Sequence, residues 1–426
     1  MESLPLELKQ RVCSYLTPKD LKSLRLTAKV FASAACRNFL PRVFLHNHPS
    51  SFEEIQDITD HPDLKHSVTT LVVDTSFLCS FPRYDHWARV FVPTPAYRAE
   101  LERLEVPVDS SDARTVRRVR REKVCTKWKA YQDRVSDQRK KSSKNRILNG
   151  IALAFQRCPR LKHLIIESGG IYRNDSALSK SILRVYRNDF PSSATHTIDH
   201  FWSSWDIMTF AISDLLKPIQ DADGSLESLA LLDSRLVYHQ DPTFSVTSIF
   251  QNLKHLRECG TPVDFLTSVV AAAPALESFG SLEAYGRQRT SPLSALINGP
   301  PLLKLRACSL RGVDDGDLLV RFLLRQKDSL ERLRISGGLY LGRVDWISVA
   351  TRVKGKLRNL RHVELNNLQI GPPTFSTITR LWSCNFMTEK VILQDHERAL
   401  ETGSMEIEDG LWEDYEQIFF LKKTES

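Results

Sequence analysis

A recurring L-x-x-L-x-L pattern constrains this chain more than any other feature. With other apolar residues allowed, it occurs at Leu161/Leu164/Ile166, Leu226/Leu229/Leu231, Leu253/Leu256, Leu276/Phe279, Leu302/Leu305/Ala307, Leu330/Leu333/Ile335 and Leu360/Val363/Leu365. The first leucines are spaced by 65, 27, 23, 26, 28 and 30 residues. An earlier copy is read at Val68/Leu71/Val73. Amphipathic stretches at 207–216, 263–273, 318–326 and 346–353 alternate with these runs. A strand and a helix of this length cannot bury their apolar faces alone, so successive units must stack. The expected product is a parallel sheet with helices along one face.

Within each run, the residue between the last two apolar positions points to the opposite side of the strand. That column reads Ile165, Ala230, Arg257, Gly280, Arg306, Arg334 and Glu364. It is expected to face solvent. Arg257, Arg306 and Arg334 are the candidate target-binding residues, because a guanidinium pairs bidentately with carboxylate or phosphate. An ordinary solvated strand face is the alternative.

The first forty residues follow another rule. Leu4, Leu8, Val12 and Leu16 recur every four residues, with Pro5 in the first turn and Ser3 as the expected N-cap. A second helix is predicted from Thr17 as N-cap, Pro18 and Asp20, with a stripe of Leu21, Leu24, Ala28, Phe31 and Ala35. Helices this short leave an apolar face that needs a partner or the rest of the chain.

The run LPLELKQRVCSYLTPKDLKSLRLTAKVFASAA resembles an F-box. Leu4-Pro5, Glu7-Leu8, Val12, Tyr15-Leu16, Asp20-Leu21, Leu24-Arg25, and Lys29 with Phe31 carry the resemblance. Cys13 and Ala28 depart from it, and no Trp follows Lys29. The later repeats resemble the irregular leucine-rich repeats of fungal F-box proteins. The resemblance implies binding to a Skp-family adaptor and, through it, to the cullin of a ubiquitin ligase. Leu4, Pro5, Leu8, Val12, Leu16, Leu21 and Leu24 would be the adaptor-binding anchors, as in helix-in-groove recognition. The repeat array would hold an unknown target protein.

Charge divides the rest of the chain. The net charge of +8 over 426 residues is uneven. Residues 114–146 hold fourteen Lys and Arg against three acids, whereas 395–426 hold ten acids against three bases. The basic stretch is expected to be a long amphipathic helix carrying Val116, Val119, Val124, Trp128, Tyr131 and Val135. Its roles in competition are a solvated helix packed by that stripe, a nuclear import signal at 117–123 and 139–141, and a contact to nucleic acid or phospholipid. The acidic end is expected to cap the array.

Other chemistries find little support. The longest apolar stretch, 265–276, is interrupted by Thr267, Ser268 and Pro274, so no membrane span or secretory leader is read. Eight scattered cysteines without C-x-x-C indicate no disulfide framework or zinc knuckle and suit the cytosol or nucleus. His46, His48, His61 and His66 are too loosely spaced for a metal site, and surface positions are expected for them. No nucleophile elbow, Walker or dinucleotide motif appears in a strand–turn–helix context. No catalytic residue, metal or cofactor is assigned, and a nucleic-acid partner is not expected.

The fold expectation is therefore α/β: a short all-α N-terminal F-box, then an irregular leucine-rich-repeat-like solenoid with an inserted basic helix. The segments are 1–45 (F-box-like head), 46–97 (linker and first repeat), 98–146 (basic insertion), 147–395 (array) and 396–426 (acidic tail or cap). The functional expectation is the substrate-recognition subunit of an SCF-type ubiquitin ligase. Its alternatives are a ligase-independent repeat scaffold with internally packed F-box-like helices, and a nucleic-acid-binding protein using the insertion.

Overall fold

The computed structural model describes residues 4–27, 31, 34–35, 40–76, 78, 113–167, 185, 210–232, 236–239, 243–282, 292–311, 313, 315–336, 346–366, 368–369 and 377–378. The acidic tail, the first part of the insertion (98–112) and Ser3 lie outside the described residues.

Two helices open the chain, α1 (Leu6–Ser14) and α2 (Pro18–Thr27). Pro5 stands at the N-cap of α1 with extended φ/ψ, one residue ahead of the helix rather than inside its first turn. Thr17 caps α2 as predicted: its Oγ1 donates to the Asp20 carboxylate at 2.6 Å and accepts from the Asp20 N–H at 3.3 Å. Cys13, Leu21, Phe31, Ala34 and Ala35 form a small separate core, with Leu16 and Leu24 packed on it.

The sheet follows. Its strands are β1 (Arg42–Leu45), β2 (Thr70–Asp74), β3 (His163–Glu167), β4 (Ser228–Leu231), β5 (His255–Cys259), β6 (Ser278–Leu282), β7 (Ala307–Arg311), β8 (Arg332–Ser336) and β9 (His362–Asn366). All neighbours are parallel, and the spatial order is the chain order. A two-stranded antiparallel pair, β10 (Leu368–Gln369) and β11 (Thr377–Ile378), stands apart from it. The sheet starts at Arg42, within the stretch assigned to the head, and β2 uses Leu71 and Val73 of the early repeat copy.

Parallel strands need crossovers, and helices supply them. They are α3 (Pro49–Asp60), α4 (Ala113–Gln138), α5 (Lys141–Arg157), α6 (Ile212–Asp221), α7 (Val246–Phe250), α8 (Val263–Ala272), α9 (Pro292–Asn298), α10 (Gly316–Arg325) and α11 (Trp346–Val353). The α3, α5 and α6–α11 helices lie side by side in that order, matching the strands. Local chemistry fixes their starts. Asp315 accepts from the Leu318 N–H at 2.8 Å at the head of α10, and His48 accepts from the Ser50 N–H at 3.1 Å, with Pro49 opening α3.

One continuous core fills the space between sheet and helices. Each strand contributes alternate residues to it: Leu45, Leu71 and Val73, Leu164 and Ile166, Leu229 and Leu231, Leu256, Phe279, Cys308 and Leu310, Leu333 and Ile335, Val363. Where α5 crosses β1 the fit needs a glycine. A Cβ added at Gly150 would sit 2.7 Å from Leu45 Cδ2.

The basic stretch is not one helix through to Arg146. α4 ends at Gln138, and α5 begins at Lys141 as the crossover helix leading into β3. The break follows from burial: Tyr131, Val135 and Gln138 are buried at the end of α4, and Ser143, Ile147 and Gly150 at the start of α5. Two inward faces this close in sequence require the chain to re-aim between them. Gln138 ties the joint, donating to the Asn47 carbonyl at 3.1 Å and accepting from the Leu78 N–H at 2.8 Å.

Candidate functional site

The head keeps part of its apolar surface uncovered. Leu8 (47% exposed), Val12 (40%) and Tyr15 (67%) lie at i, i+4 and i+7, on one face of α1 and its end. Pro5 is exposed beside them, and Leu26 on α2 is 82% exposed. The inward face carries Cys13 and, on α2, Leu21. Burying a fully exposed apolar side chain is worth about 1.5–3 kcal/mol, and Leu8 and Val12, already more than half covered, would gain roughly half of that.

The seven anchors read from sequence divide accordingly. Pro5, Leu8 and Val12 present to solvent, and Leu4 is half-buried. Leu16 and Leu24 are half-buried against the small core. Leu21 is 1% exposed and is a core residue of the head, so it cannot enter a partner's groove without unpacking the helices. Tyr15 and Leu26 are exposed apolar residues that lie outside the seven anchors. Tyr15 fell outside the strict four-residue stripe, and Leu26 follows the stripe residue Leu24 on the opposite side of the helix.

The second candidate surface is the sheet face turned away from the core. The register places Phe44, Val72, Ile165, Ala230, Arg257, Gly280, Ser309, Arg334 and Glu364 in one row across it. Two corrections follow. First, the row is not solvated throughout. Val72, Ile165, Ala230 and Leu232 are buried and form their own cluster, so the face is covered over β2–β4. Second, the β7 member is Ser309, not Arg306. The core residues there are Leu305, Cys308 and Leu310, three positions later than the Leu302/Leu305/Ala307 frame.

Arg306 belongs elsewhere. It precedes β7 at the N-terminal edge of the sheet, where the sequence of edge residues is Lys162, Glu227, Lys254, Glu277, Arg306, Glu331 and Arg361. Each donates its N–H to the carbonyl of the preceding one, from Glu227 to Arg361, at 2.8–2.9 Å. Charges therefore alternate on seven neighbouring strands. Lys254 Nζ lies 2.8 Å from Glu227, and Arg306 Nε lies 3.8 Å from Glu331. The Lys254 hydrogen bond pulls the Glu227 carboxyl below its ordinary range, and Glu227 in turn raises Lys254. The three arginines are thus not convergent: Arg257 and Arg334 share the row three strands apart, and Arg334 pairs with Glu364 at 3.2 Å.

The histidines are also not uniformly at the surface. His46 is 1% exposed, with Nδ1 2.9 Å from Asp74 Oδ2, and His48 is buried as the α3 cap. Among the described residues no group of three or more His, Cys, Asp or Glu is placed to hold a metal ion. Among them, too, no helix is long and apolar enough to cross a membrane.

Residues 1–45 match the F-box-like family. No curated protein matches the chain. The matched segment is the one that carries the uncovered Leu8/Val12/Tyr15 face. F-box domains are protein–protein interaction modules that generally bind Skp-type adaptors.

Proposed function

We propose that this chain is the substrate-recognition subunit of an SCF-type cullin–RING ubiquitin ligase. The F-box-like head binds a Skp-family adaptor, and the sheet, read as an irregular leucine-rich-repeat-like solenoid, holds a target protein. The chain itself performs no chemistry. It supplies proximity and orientation to a transfer reaction carried out by other subunits. Its working place is the cytosol or nucleus.

The observation that carries this reading is the uncovered stripe of Leu8, Val12 and Tyr15 on the segment that matches the F-box-like family. A folded head with its own small core has no internal use for three aligned apolar side chains, and a groove on a partner does. The test is co-purification of the chain with a Skp-family adaptor. Leu8→Asp is expected to abolish capture, whereas the melting temperature should hold because Leu8 is half in solvent. Equal capture by Leu8→Asp would overturn the adaptor contact. It would favour a scaffold that works outside a ligase.

A further inference from the structure

The N-terminal rim of the sheet changes character along its length. A loop leads from each helix into the next strand there. The four loops before β3–β6, at 158–162, 222–227, 251–254 and 273–277, carry three cations and three acids. The three before β7–β9, at 299–306, 326–331 and 354–361, carry seven cations and two acids. The balance that holds over the first part of the rim is lost over the last.

These three loops are joined. Glu331 donates its N–H to the Arg306 carbonyl at 2.8 Å, Arg361 to that of Glu331 at 2.8 Å, and Arg358 to that of Lys327 at 3.2 Å. The cations are Lys304 and Arg306 before β7, Lys327 before β8, and Lys354, Lys356, Arg358 and Arg361 before β9, and all are exposed. Arg306 faces Glu331 at 3.8 Å, and the other six make no ion pair among the described residues. Gly355 turns the chain between Lys354 and Lys356 at φ 71°, and a Cβ there would meet nothing within 4 Å. An apolar element lies beside them. Leu303 is 81% exposed, the large apolar side chain left uncovered outside the head among the described residues, and Pro300 and Pro301 next to it are exposed.

Such a surface fits an anionic polypeptide with apolar side chains of its own. A phosphate backbone would satisfy the cations but leave Leu303 uncovered. Residues 406–420, EIEDGLWEDYEQIFF, have the matching chemistry: six acids, no base, and Trp412, Tyr415 and Phe419 among the apolar residues. They also follow on the same chain. Twenty-seven residues separate Ile378 from Glu406, and at about 3.3–3.6 Å each their reach far exceeds the length of β9, about 17 Å.

We propose that residues 406–420 dock on the 299–306, 326–331 and 354–361 rim of their own chain, with acids on the Lys and Arg side chains and an aromatic side chain over Leu303. Tethering makes the contact intramolecular, so modest attraction suffices. The basic stretch at 114–146 is the weaker partner, because four of its cations are already engaged: Arg134, Lys140 and Arg146 share Asp137, and Lys144 pairs with Asp214. The inference is independent of the ligase reading.

The test is zero-length carbodiimide cross-linking of the full chain at low salt, with the products mapped by peptide mass spectrometry. Bonds are expected between the acids of 406–416 and Lys304, Lys327, Lys354 or Lys356, on monomeric protein, and high salt should remove them. Lysine acetylation gives a second readout. In Glu413→Lys/Asp414→Lys, which keeps the full length, Lys354 and Lys356 should acetylate several-fold faster at unchanged melting temperature. An added synthetic 406–420 peptide should restore their protection. Leu303→Asp should lower the cross-link yield several-fold. Cross-links to Lys123, Lys127 or Lys129 instead would move the contact to α4 and overturn the proposal. So would acetylation rates that the tail variant leaves unchanged, or bonds found only between two chains. Equal protection of that variant by oligothymidylate and by the peptide overturns it as well, because phosphates alone would then suffice.

Discussion

The Lys254 ammonium lies 2.8 Å from the Glu227 carboxylate on the neighbouring strand, and the two backbones are joined there by the Lys254 N–H to Glu227 carbonyl bond at 2.9 Å. The pair is one rung of a ladder whose charges alternate from Lys162 to Arg361. Opposite charges directly across neighbouring strands stabilise by a few tenths to about 1 kcal/mol, and like charges destabilise by as much. A strand displaced by one repeat would leave its edge charge beside a like one. The ladder therefore selects register as well as contributing modestly to stability.

Glu227→Lys should lower the denaturation midpoint, because it sets three cations in a row with Lys162 and Lys254. The expected loss is about 1 kcal/mol at low ionic strength and less in high salt, since the ladder is partly exposed and screened. Adding Lys254→Glu should restore part of the loss. A midpoint that ignores both changes would show the alternation to be energetically idle.

Gly150→Val should cost about 2–3 kcal/mol by overpacking α5 against β1, since even one added carbon at Gly150 meets Leu45 at 2.7 Å. Leu45→Ala opens a cavity by itself, yet in the double variant it should recover part of the valine penalty. Additive losses measured by urea unfolding would mean that the two residues do not share this space.

Acid should weaken the sheet between β3 and β5. Burial pushes the His163 and His255 imidazoles below their ordinary value of 6.5, and nearby Glu227 and Glu277 only partly oppose this. Such groups bind fewer protons folded than unfolded, so their contribution is present above 6.5 and falls as pH drops toward the depressed values. Glu258 works in the opposite sense. Burial raises it above 4.5, so its contribution falls as pH rises through that window. Melting curves from pH 7.5 to 5.5 should show a smaller decline for His163→Gln/His255→Gln than for the natural chain; parallel declines would refute the assignment.

Thiol reactivity should sort by burial. Cys125 on α4 is exposed, whereas Cys158 is buried with its thiol pushed up to about 11. Burial raises Cys308 and Cys13 as well. Among these four, iodoacetamide at neutral pH should modify Cys125 first, with the others protected until denaturant is added. Peptide mapping that finds Cys308 alkylated in native buffer would place β7 outside the core.

The repeat signal made the fold readable, because periodic leucines in a stacked array mark core positions directly. Leu161, Leu226, Leu253, Leu276, Leu330 and Leu360 each precede a strand by the same offset. One frame slipped because Leu302, Leu303 and Leu305 all satisfy an apolar template, and only packing selects Leu305. The charge alternation could have decided it. The residue after each true repeat leucine is charged with alternating sign, and Leu303 would break that series where Arg306 keeps it. The exposed face of the head was partly legible. Spacing located the helices and put Leu21 and Phe31 on one stripe, but that this stripe turns inward is decided by its packing against Cys13. The covering of Val72, Ile165 and Ala230 had no local signal, since an apolar strand residue reads the same under water or under protein.

Strand order and chain order coincide, and that has a consequence for synthesis. As the polypeptide leaves the ribosome, every new strand finds its upstream partner already made, and only the most recent edge waits for the strand that follows it. The longest delay is between β2 and β3, where 88 residues separate Asp74 from His163. Loop closure grows only with the logarithm of length, so the interruption slows assembly without redirecting it. A chain built this way grows from its F-box-like end outward, and the β8–β9 edge is the last part of the sheet to be completed.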